Sequence, residues 1–252
     1  MAPRALSAEQ ARQDSQYTFP YHYISRFRNG FSCTAYDAYG LVYMSLVRFL
    51  LERLEELHPS RIVDVGCGDG RLARELSLSF PESEVVGIDY SQRAIALARA
   101  LNPGRRFVCA DIVSEPVEGR FDTVLCIEVF EHIAREDAGR FAECLSGLCA
   151  PGGSLLITAP HRNKKLSSKH VQHFTAESLY GYFEPFCTLE QRRFLHRAWY
   201  PQRFLRMLLK NKLFLLNNAI LLDWVFRVYV SRCLHASERD CGRLFLRLAP
   251  RQ

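Results

Sequence analysis

The sequence predicts an α/β protein built on a mostly parallel sheet with helices on both faces. Three observations carry that prediction. The apolar, partly β-branched run 62–65 breaks into glycines at alternate positions, Gly66, Gly68 and Gly70, and then into the helix-like Arg71-Leu72-Ala73-Arg74-Glu75-Leu76. Three further strand-like runs each end in an acid: 84–89 at Asp89, 107–111 at Asp111 and 121–128 at Glu128. Strand and helix patterns alternate along the chain, which implies parallel strands joined by right-handed crossovers.

The elements follow in order. Residues 1–15 are polar and read as loosely attached. Aromatic residues are dense from Tyr17 to Tyr43, and their rings suit either packing onto the core or stacking on a ring-shaped ligand. Residues 41–57 form an amphipathic helix, because Tyr43, Leu46, Val47, Leu50, Leu51, Leu54 and Leu57 recur at i, i+3, i+4 and i+7 spacing. His58-Pro59-Ser60 ends it. Ser91 caps a helix over 91–101, stopped by Asn102-Pro103-Gly104. A helix over 136–149 ends at Ala150-Pro151-Gly152-Gly153, a strand covers 154–158, and Thr175 caps a helix over 175–183. Strands are expected at 189–196 and 243–248. Between them lies a helical insertion, 199–236, that is apolar and basic. Asn217, Asn218, Asp223 and Arg227 interrupt it, so no run approaches the ~18 apolar residues of a spanning helix. The insertion suits a lid over a bulky or lipid-linked acceptor, or a helix pair in peripheral contact with a membrane.

The glycine turn also indicates the ligand. Arg71 stands where a dinucleotide fingerprint requires its third glycine, and no Lys-Ser/Thr pair follows as in a phosphate-binding loop. Asp64 and Asp69 flank the turn; carboxylates there repel a pyrophosphate and suit a cationic, phosphate-free ligand. S-adenosylmethionine, with its sulfonium, meets that description. Asp89, about twenty residues beyond the glycines, is placed to accept from ribose hydroxyls.

Val63-Asp64-Val65-Gly66-Cys67-Gly68-Asp69-Gly70, Gly87-Ile88-Asp89, Ala110-Asp111 and Phe121-Asp122-Thr123-Val124-Leu125-Cys126-Ile127-Glu128 resemble the ordered motifs of class I S-adenosylmethionine-dependent methyltransferases. The similarity covers about 61–196. It implies a Rossmann-like, seven-stranded sheet, here with an N-terminal helical cap (1–60) and the 199–236 insertion before the last strand of a 61–252 catalytic domain. By resemblance, the glycine turn holds the methionine end of the cofactor, Asp89 the ribose, and Asp111 with the Ile112 backbone the adenine. The candidate cofactor residues are Asp64, Gly66, Cys67, Gly68, Gly70, Asp89, Tyr90, Asp111, Ile112 and Glu128.

Candidate catalytic residues follow the fourth and fifth core strands. In Glu128-Val129-Phe130-Glu131-His132, a helical turn would bring Glu131 and His132 to i+3 and i+4 from Glu128. The loop after the fifth strand holds His161, His170 and His173. Both loops leave the same edge of the sheet, where open α/β folds bind ligands. Glu-x-x-Glu-His followed by a His-rich loop is similar to the ubiquinone-pathway O-methyltransferases and the small-RNA 3′-terminal 2′-O-methyltransferases. That resemblance implies a divalent cation, Mg²⁺ or Mn²⁺, on Glu128, Glu131, His132, His170 and His173. Without a metal, His132, His170 or His173, assisted by Glu131, is the general base.

Composition narrows the class. A chain of 252 residues with 48% hydrophobic and 24% charged residues has the balance of a soluble globular protein. Its nine cysteines contain no C-x-x-C pair, which argues against a zinc site and, with their odd number, for a reducing cytoplasm. Residues 1–13 have no apolar stretch of signal-peptide type. A net charge of +6 accommodates anionic acceptors or an anionic membrane, and falls short of what identifies a nucleic-acid binder. The expected activity is methyl transfer to a hydroxyl of a small molecule, sugar or lipid-linked acceptor. RNA ribose methylation and a catalytically inactive, cofactor-binding regulator are the alternatives.

Overall fold

A computed structural model describes residues 8–14, 17, 25–27, 31–33, 39–115, 117–198, 202–209 and 218–251. The elements begin with α1 (Ala8–Asp14), the antiparallel pair β1 (Ser25–Phe27) and β2 (Phe31–Cys33), and α2 (Tyr39–Leu57). The core alternates β3 (Arg61–Val65), α3 (Arg71–Ser79), β4 (Glu84–Asp89), α4 (Gln92–Leu101), β5 (Arg106–Cys109), β6 (Phe121–Ile127), α5 (Ala138–Leu148), β7 (Cys149–Pro160) and α6 (Ala176–Tyr180). Then come β8 (Cys187–Leu195), α7 (Gln202–Leu209), α8 (Ala219–Tyr229) with a wider turn over Val230–Leu234, and β9 (Arg243–Pro250).

Seven strands form one Rossmann-like sheet in the order β5-β4-β3-β6-β7-β9-β8. The pairings of β3 with β4 and β6, of β4 with β5, and of β6 with β7 are parallel. From β3 the chain first adds strands on one side, β4 and β5, and then returns to the other with β6. The C-terminal end of β3 is therefore the point where strand order reverses, the place where open sheets leave a crevice for a ligand. The glycine turn begins there. Ile62, Val63, Ile88, Val124 and Leu125 are completely buried, as continuous apolar parallel strands covered on both faces must be.

The chain divides into two compact units. One comprises Met1–Pro20, Pro59–Arg192 and Leu244–Gln252, and the other Tyr21–His58 and Arg193–Arg243. The second unit holds α2, β1, β2, α7 and α8. In it, buried His196 meets the Tyr229 hydroxyl through Nδ1 (3.0 Å) and accepts from Arg243 through Nε2 (3.1 Å). On α2, Leu46, Val47, Leu50 and Leu54 are buried while Arg48 pairs with Glu52 on the outer face, as the apolar period predicts.

Helix boundaries follow the expected caps. Ser91 Oγ accepts from Ala94 N (3.0 Å), and Thr175 and Ser178 form a reciprocal capping box. Residues 8–14 depart from the expectation of a loose terminus. Gln10 O accepts from the Tyr90 hydroxyl (3.0 Å), and Asp14 bonds the Ser91 hydroxyl, which ties α1 to the loop after β4. Phe19, Tyr21, Tyr23 and Tyr36 of the aromatic segment, and 199–201 and 210–217 of the insertion, lie outside the described residues. No helix among the described residues is long and apolar enough to cross a membrane.

Candidate functional site

The glycine turn is held by backbone bonds. Gly66 N and Cys67 N both donate to Ile88 O (2.7 and 3.0 Å), which clamps the turn onto β4. Gly66 has φ +76° and a Cβ there would stand 2.3 Å from Val129, so only glycine fits. Gly68 has φ +54°, and its missing Cβ leaves room for the buried Tyr17, whose hydroxyl would otherwise lie 2.6 Å away. Where a dinucleotide fingerprint has its third glycine, Arg71 is buried and paired with Glu75 (3.0 Å), so the departure from that fingerprint is a structural fixture of α3.

Two carboxylates stand at this turn. Asp89 accepts from Gly68 N through Oδ2 and from Ser91 N through Oδ1, each at 2.9 Å, which fixes its plane and leaves each oxygen a further lone pair. Burial raises its pKa to about 6, the two backbone bonds acting against that shift. Asp64 is buried, and its Oδ2 has no hydrogen-bond partner among the described residues. Burial, with Asp89 nearby, raises its pKa from 3.8 to about 7. A buried carboxyl without a partner costs free energy unless a cation or donor arrives to meet it. Cys67 lies among these acids; burial and the charges of Asp89, Asp64 and Asp69 keep its thiol protonated. Asp111 Oδ1 caps its own turn at Val113 N (3.1 Å), and Ile112 is buried beside it. These groups fit a cationic nucleoside: an acid for the positive end, a fixed acid for a diol, and a turn close enough for backbone contact.

The second constellation follows β6 and β7. Glu128 has φ +58°, a left-handed conformation that non-glycine residues rarely adopt, and its Oε1 accepts from Thr158 (3.0 Å) on the neighbouring strand. The helical turn begins only at Phe130, as a single 3-10 turn over Phe130–His132. Glu128 is therefore out of helical phase with Glu131 and His132, and the expected i+3/i+4 convergence of all three is replaced by a different grouping. Phe130 anchors the turn in an aromatic cluster with Phe141, Phe174, Tyr182 and Phe183 at centroid distances of 5.3–5.8 Å. Val171 N donates to Glu131 O (2.8 Å) and brings the histidine loop alongside.

Ligating atoms of Glu131, His132 and His170 lie within 4.8 Å of one another. Glu128 and His173 are outside that group, so three of the five residues expected around a cation come together. His173 contacts His170 instead, Nε2 to Nδ1, at 2.8 Å. His161 is buried and outside that group; its Nδ1 accepts from Asn163 N (3.1 Å).

The carbonyls fix the tautomers of these rings when neutral. His132 Nδ1 lies 2.9 Å from Lys169 O and His173 Nδ1 lies 3.2 Å from Lys164 O, so both of those nitrogens carry hydrogen. His173 Nε2 then accepts from His170 Nδ1. The result is a bare Nε2 lone pair on both His132 and His170. Burial lowers the pKa of His132, and burial with the neighbouring His132 and His173 lowers that of His170 to about 4, so both rings are neutral at physiological pH.

Residues 62–153 match the family described as "Methyltransferase domain". Over those residues the chain is similar to a methyltransferase domain. Among curated relatives, it is 33% identical over 129 residues to a trans-aconitate 2-methyltransferase of Acidovorax sp. (strain JS42), covering 51% of this chain and 49% of that one. It is 32% identical over 123 residues to a ubiquinone biosynthesis O-methyltransferase of Alkalilimnicola ehrlichii, covering 46% and 48%. The chain spans about half the length of the curated relatives it matches. Two solved structures share the fold: the cyclase SpnF (TM-score 0.64, 18% identity, covering 99% of this chain and 98% of that one), and magnesium protoporphyrin IX methyltransferase from Synechocystis PCC 6803 with bound SAM (TM-score 0.61, 14% identity, covering 98% and 99%).

The matched methyltransferase domain contains the glycine turn, Asp89, Asp111, Glu128, Glu131 and His132, and stops short of His170 and His173. Sequence reasoning missed three parts of the surroundings. Thr158 is visible only once β6 and β7 are paired in register, with Ile127 opposite Thr158. Asp14 meets Ser91 from a segment without a motif, whereas Tyr17, which packs against Gly68, belongs to the aromatic run the sequence shows. Arg135, Arg162 and Lys164 line one cavity, yet Arg135 lies 27 positions before Arg162 and nothing in the sequence links them.

Proposed function

We propose that the protein transfers the methyl group of S-adenosylmethionine to a hydroxyl of a small molecule, sugar or lipid-linked acceptor. The observation that carries the hydroxyl acceptor is the pair of neutral imidazoles, His132 and His170, with bare Nε2 atoms beside Glu131. The buried, unpartnered Asp64 and the fixed Asp89 support the cofactor. Transfer from a sulfonium is an in-line displacement, in which the acceptor oxygen forms a bond to the methyl carbon as the carbon–sulfur bond breaks. The bonding pair goes to sulfur and leaves S-adenosylhomocysteine. The hydroxyl proton has to go elsewhere, and a neutral imidazole Nε2 takes it. Holding the oxygen about 3 Å from the methyl carbon supplies much of the rate.

A second reading is favoured by the same grouping. One carboxylate and two imidazoles suit a divalent ion that keeps open positions for oxygen ligands. Glu131, His132 and His170 would hold it; when bound, such an ion lowers the pKa of a coordinated hydroxyl. Exhaustive chelation separates the two readings: full turnover in the chelated protein leaves the imidazole base alone, and loss restored by Mg²⁺ or Mn²⁺ supports the ion.

On α7 and α8, Phe204, Met207, Ile220, Leu221 and Trp224 are exposed. They are the basis for proposing that 199–236 meets an apolar acceptor or a membrane surface, which co-sedimentation with anionic vesicles tests. The defining experiment for the whole reading is mass spectrometry of fractionated extract incubated with protein and cofactor. The expected product gains one methyl group and retains no exchangeable proton at that oxygen. A methylated nitrogen or carbon would overturn the hydroxyl assignment.

A further inference from the structure

Beside the histidine loop lies a cavity of about 560 Å³, wholly within the unit that contains the sheet. Arg135, Arg162 and Lys164 stand along its wall, and among the described residues no Asp or Glu lines it. Neither the Arg135 nor the Arg162 guanidinium pairs with a carboxylate among the described residues. These two guanidinium groups, gathered at one wall without a carboxylate partner, repel one another, an arrangement that an anionic ligand relieves. Arg also presents a planar fork of donors suited to carboxylate and phosphate oxygens.

An independent observation points the same way. Gln172 lines the cavity and is only 8% exposed, and its Nε2 has no hydrogen-bond partner among the described residues. A buried amide donor without an acceptor carries a desolvation cost that a ligand oxygen removes. Tyr182 and the buried Phe174 supply an aromatic floor. His173 lines the cavity too, and its Nε2 reaches His170. The cavity and the imidazole pair are therefore joined by a single ring.

We propose that this cavity binds an oxyanion, a phosphate or carboxylate, borne on a ring-containing methyl acceptor. The inference rests on the methyl-transfer reading only in assigning the anion to the acceptor; the preference of the cavity for an anion is tested without turnover. The acceptor's charged end sits against Arg135 and Arg162, its ring against Tyr182, and its hydroxyl lies toward His170.

The test uses the full chain at low ionic strength and three ring probes: phenyl phosphate, benzoate and neutral benzyl alcohol. Chemical shifts or calorimetry report their binding to the wild-type protein and to the Arg135→Ala/Arg162→Ala double variant. S-adenosylhomocysteine titration of both proteins is the parallel readout. Expected is saturable binding of phenyl phosphate or benzoate, at least tenfold tighter than benzyl alcohol, and a tenfold or greater loss in the double variant. Cofactor-product affinity should stay within twofold, which also shows that the variant is folded. Whichever anion binds more tightly identifies the oxyanion. Equal binding of the neutral probe, or an anion affinity unchanged in the double variant, overturns the proposal. Failure of S-adenosylhomocysteine to bind the wild-type protein would instead overturn the methyl-transfer reading and leave the anion result standing.

Discussion

The glycine turn and the histidine loop both sit at the C-terminal edge of one sheet, yet they are built differently. At the turn the backbone does the positioning: Gly66, Cys67 and Gly68 place their N–H groups on Ile88 and Asp89 within a single β3–α3 connection. Its charged groups are carboxyls that burial pushes toward neutrality, Asp64 to about 7 and Asp89 to about 6. At the loop, side chains from separated segments meet. His132 and His170 are 38 positions apart in the chain, and their neutrality comes from burial and from one another. The first region is fixed by backbone bonds within one connection. The second is an assembly of rings on a loop, and under the proposed function it is the part that meets the acceptor.

The largest expected effect breaks the comparison on the loop side alone. If His132 and His170 act on the acceptor and not on the cofactor, His170→Gln and His132→Gln should each lower kcat by about 10²–10⁴-fold. S-adenosylhomocysteine affinity should remain within twofold. The pH dependence sharpens the point. With a pKa near 4, His170 stays unprotonated well below neutrality, so its contribution to turnover should be lost only as pH falls toward 4. Parallel loss of cofactor binding and turnover in either variant would erase the division between the two regions.

A smaller effect is expected on the turn side. Asp89→Ala removes an acceptor for the ribose diol whose geometry is fixed by Gly68 N and Ser91 N. The cost should be roughly 1.5–3 kcal/mol of cofactor affinity, as for hydrogen bonds to charged groups. Calorimetry with S-adenosylhomocysteine measures it directly. An unchanged affinity would remove Asp89 from the cofactor site.

The same contrast explains what could be read from the sequence. The turn was legible because its determinants are local: three glycines, two acids and the next strand's acid follow within a fixed number of residues. The strands β3, β4 and β6 were legible because parallel buried strands leave unbroken apolar runs. The loop side was legible only as a list of residues. A helical turn does run from Phe130, as the sequence allows, but the left-handed backbone of Glu128 takes that residue out of phase with Glu131 and His132. The partner of His173 proved to be His170, a pairing set by how 161–174 folds back to Val171 N–Glu131 O and not by spacing. The cavity wall needed Arg135 to meet Arg162 and Lys164 across the sheet edge. Docking of α1 through Asp14 and Gln10 was invisible because a seven-residue polar helix carries no pattern strong enough to read.

The smallest expected effect concerns Asp64 and tests the idea that the turn awaits a cation. In the unfolded chain this carboxyl ionises near 3.8, and in the folded protein near 7. Between those values the folded state binds more protons than the unfolded, so without cofactor the contribution of Asp64 to stability declines as pH rises through that window. Cofactor reverses the balance. A sulfonium and an ammonium near Asp64 favour the carboxylate, so binding must expel the proton wherever the free protein still holds it. At pH 6 a group of pKa about 7 is about nine-tenths protonated, and at pH 8 about one-tenth, which predicts about a tenfold gain in S-adenosylmethionine affinity across that interval. Calorimetry in buffers of different ionisation enthalpy should detect about nine-tenths of a proton released by Asp64 at pH 6 and about one-tenth at pH 8, any release from Asp89 adding to it. Asp64→Asn should abolish most of that release, leaving the part contributed by Asp89. S-adenosylhomocysteine, which lacks the sulfonium charge, should show the weaker pH slope of the two ligands. Equal slopes for the two ligands, or full proton release in Asp64→Asn, would show that the buried carboxyl does not face the cofactor's positive end.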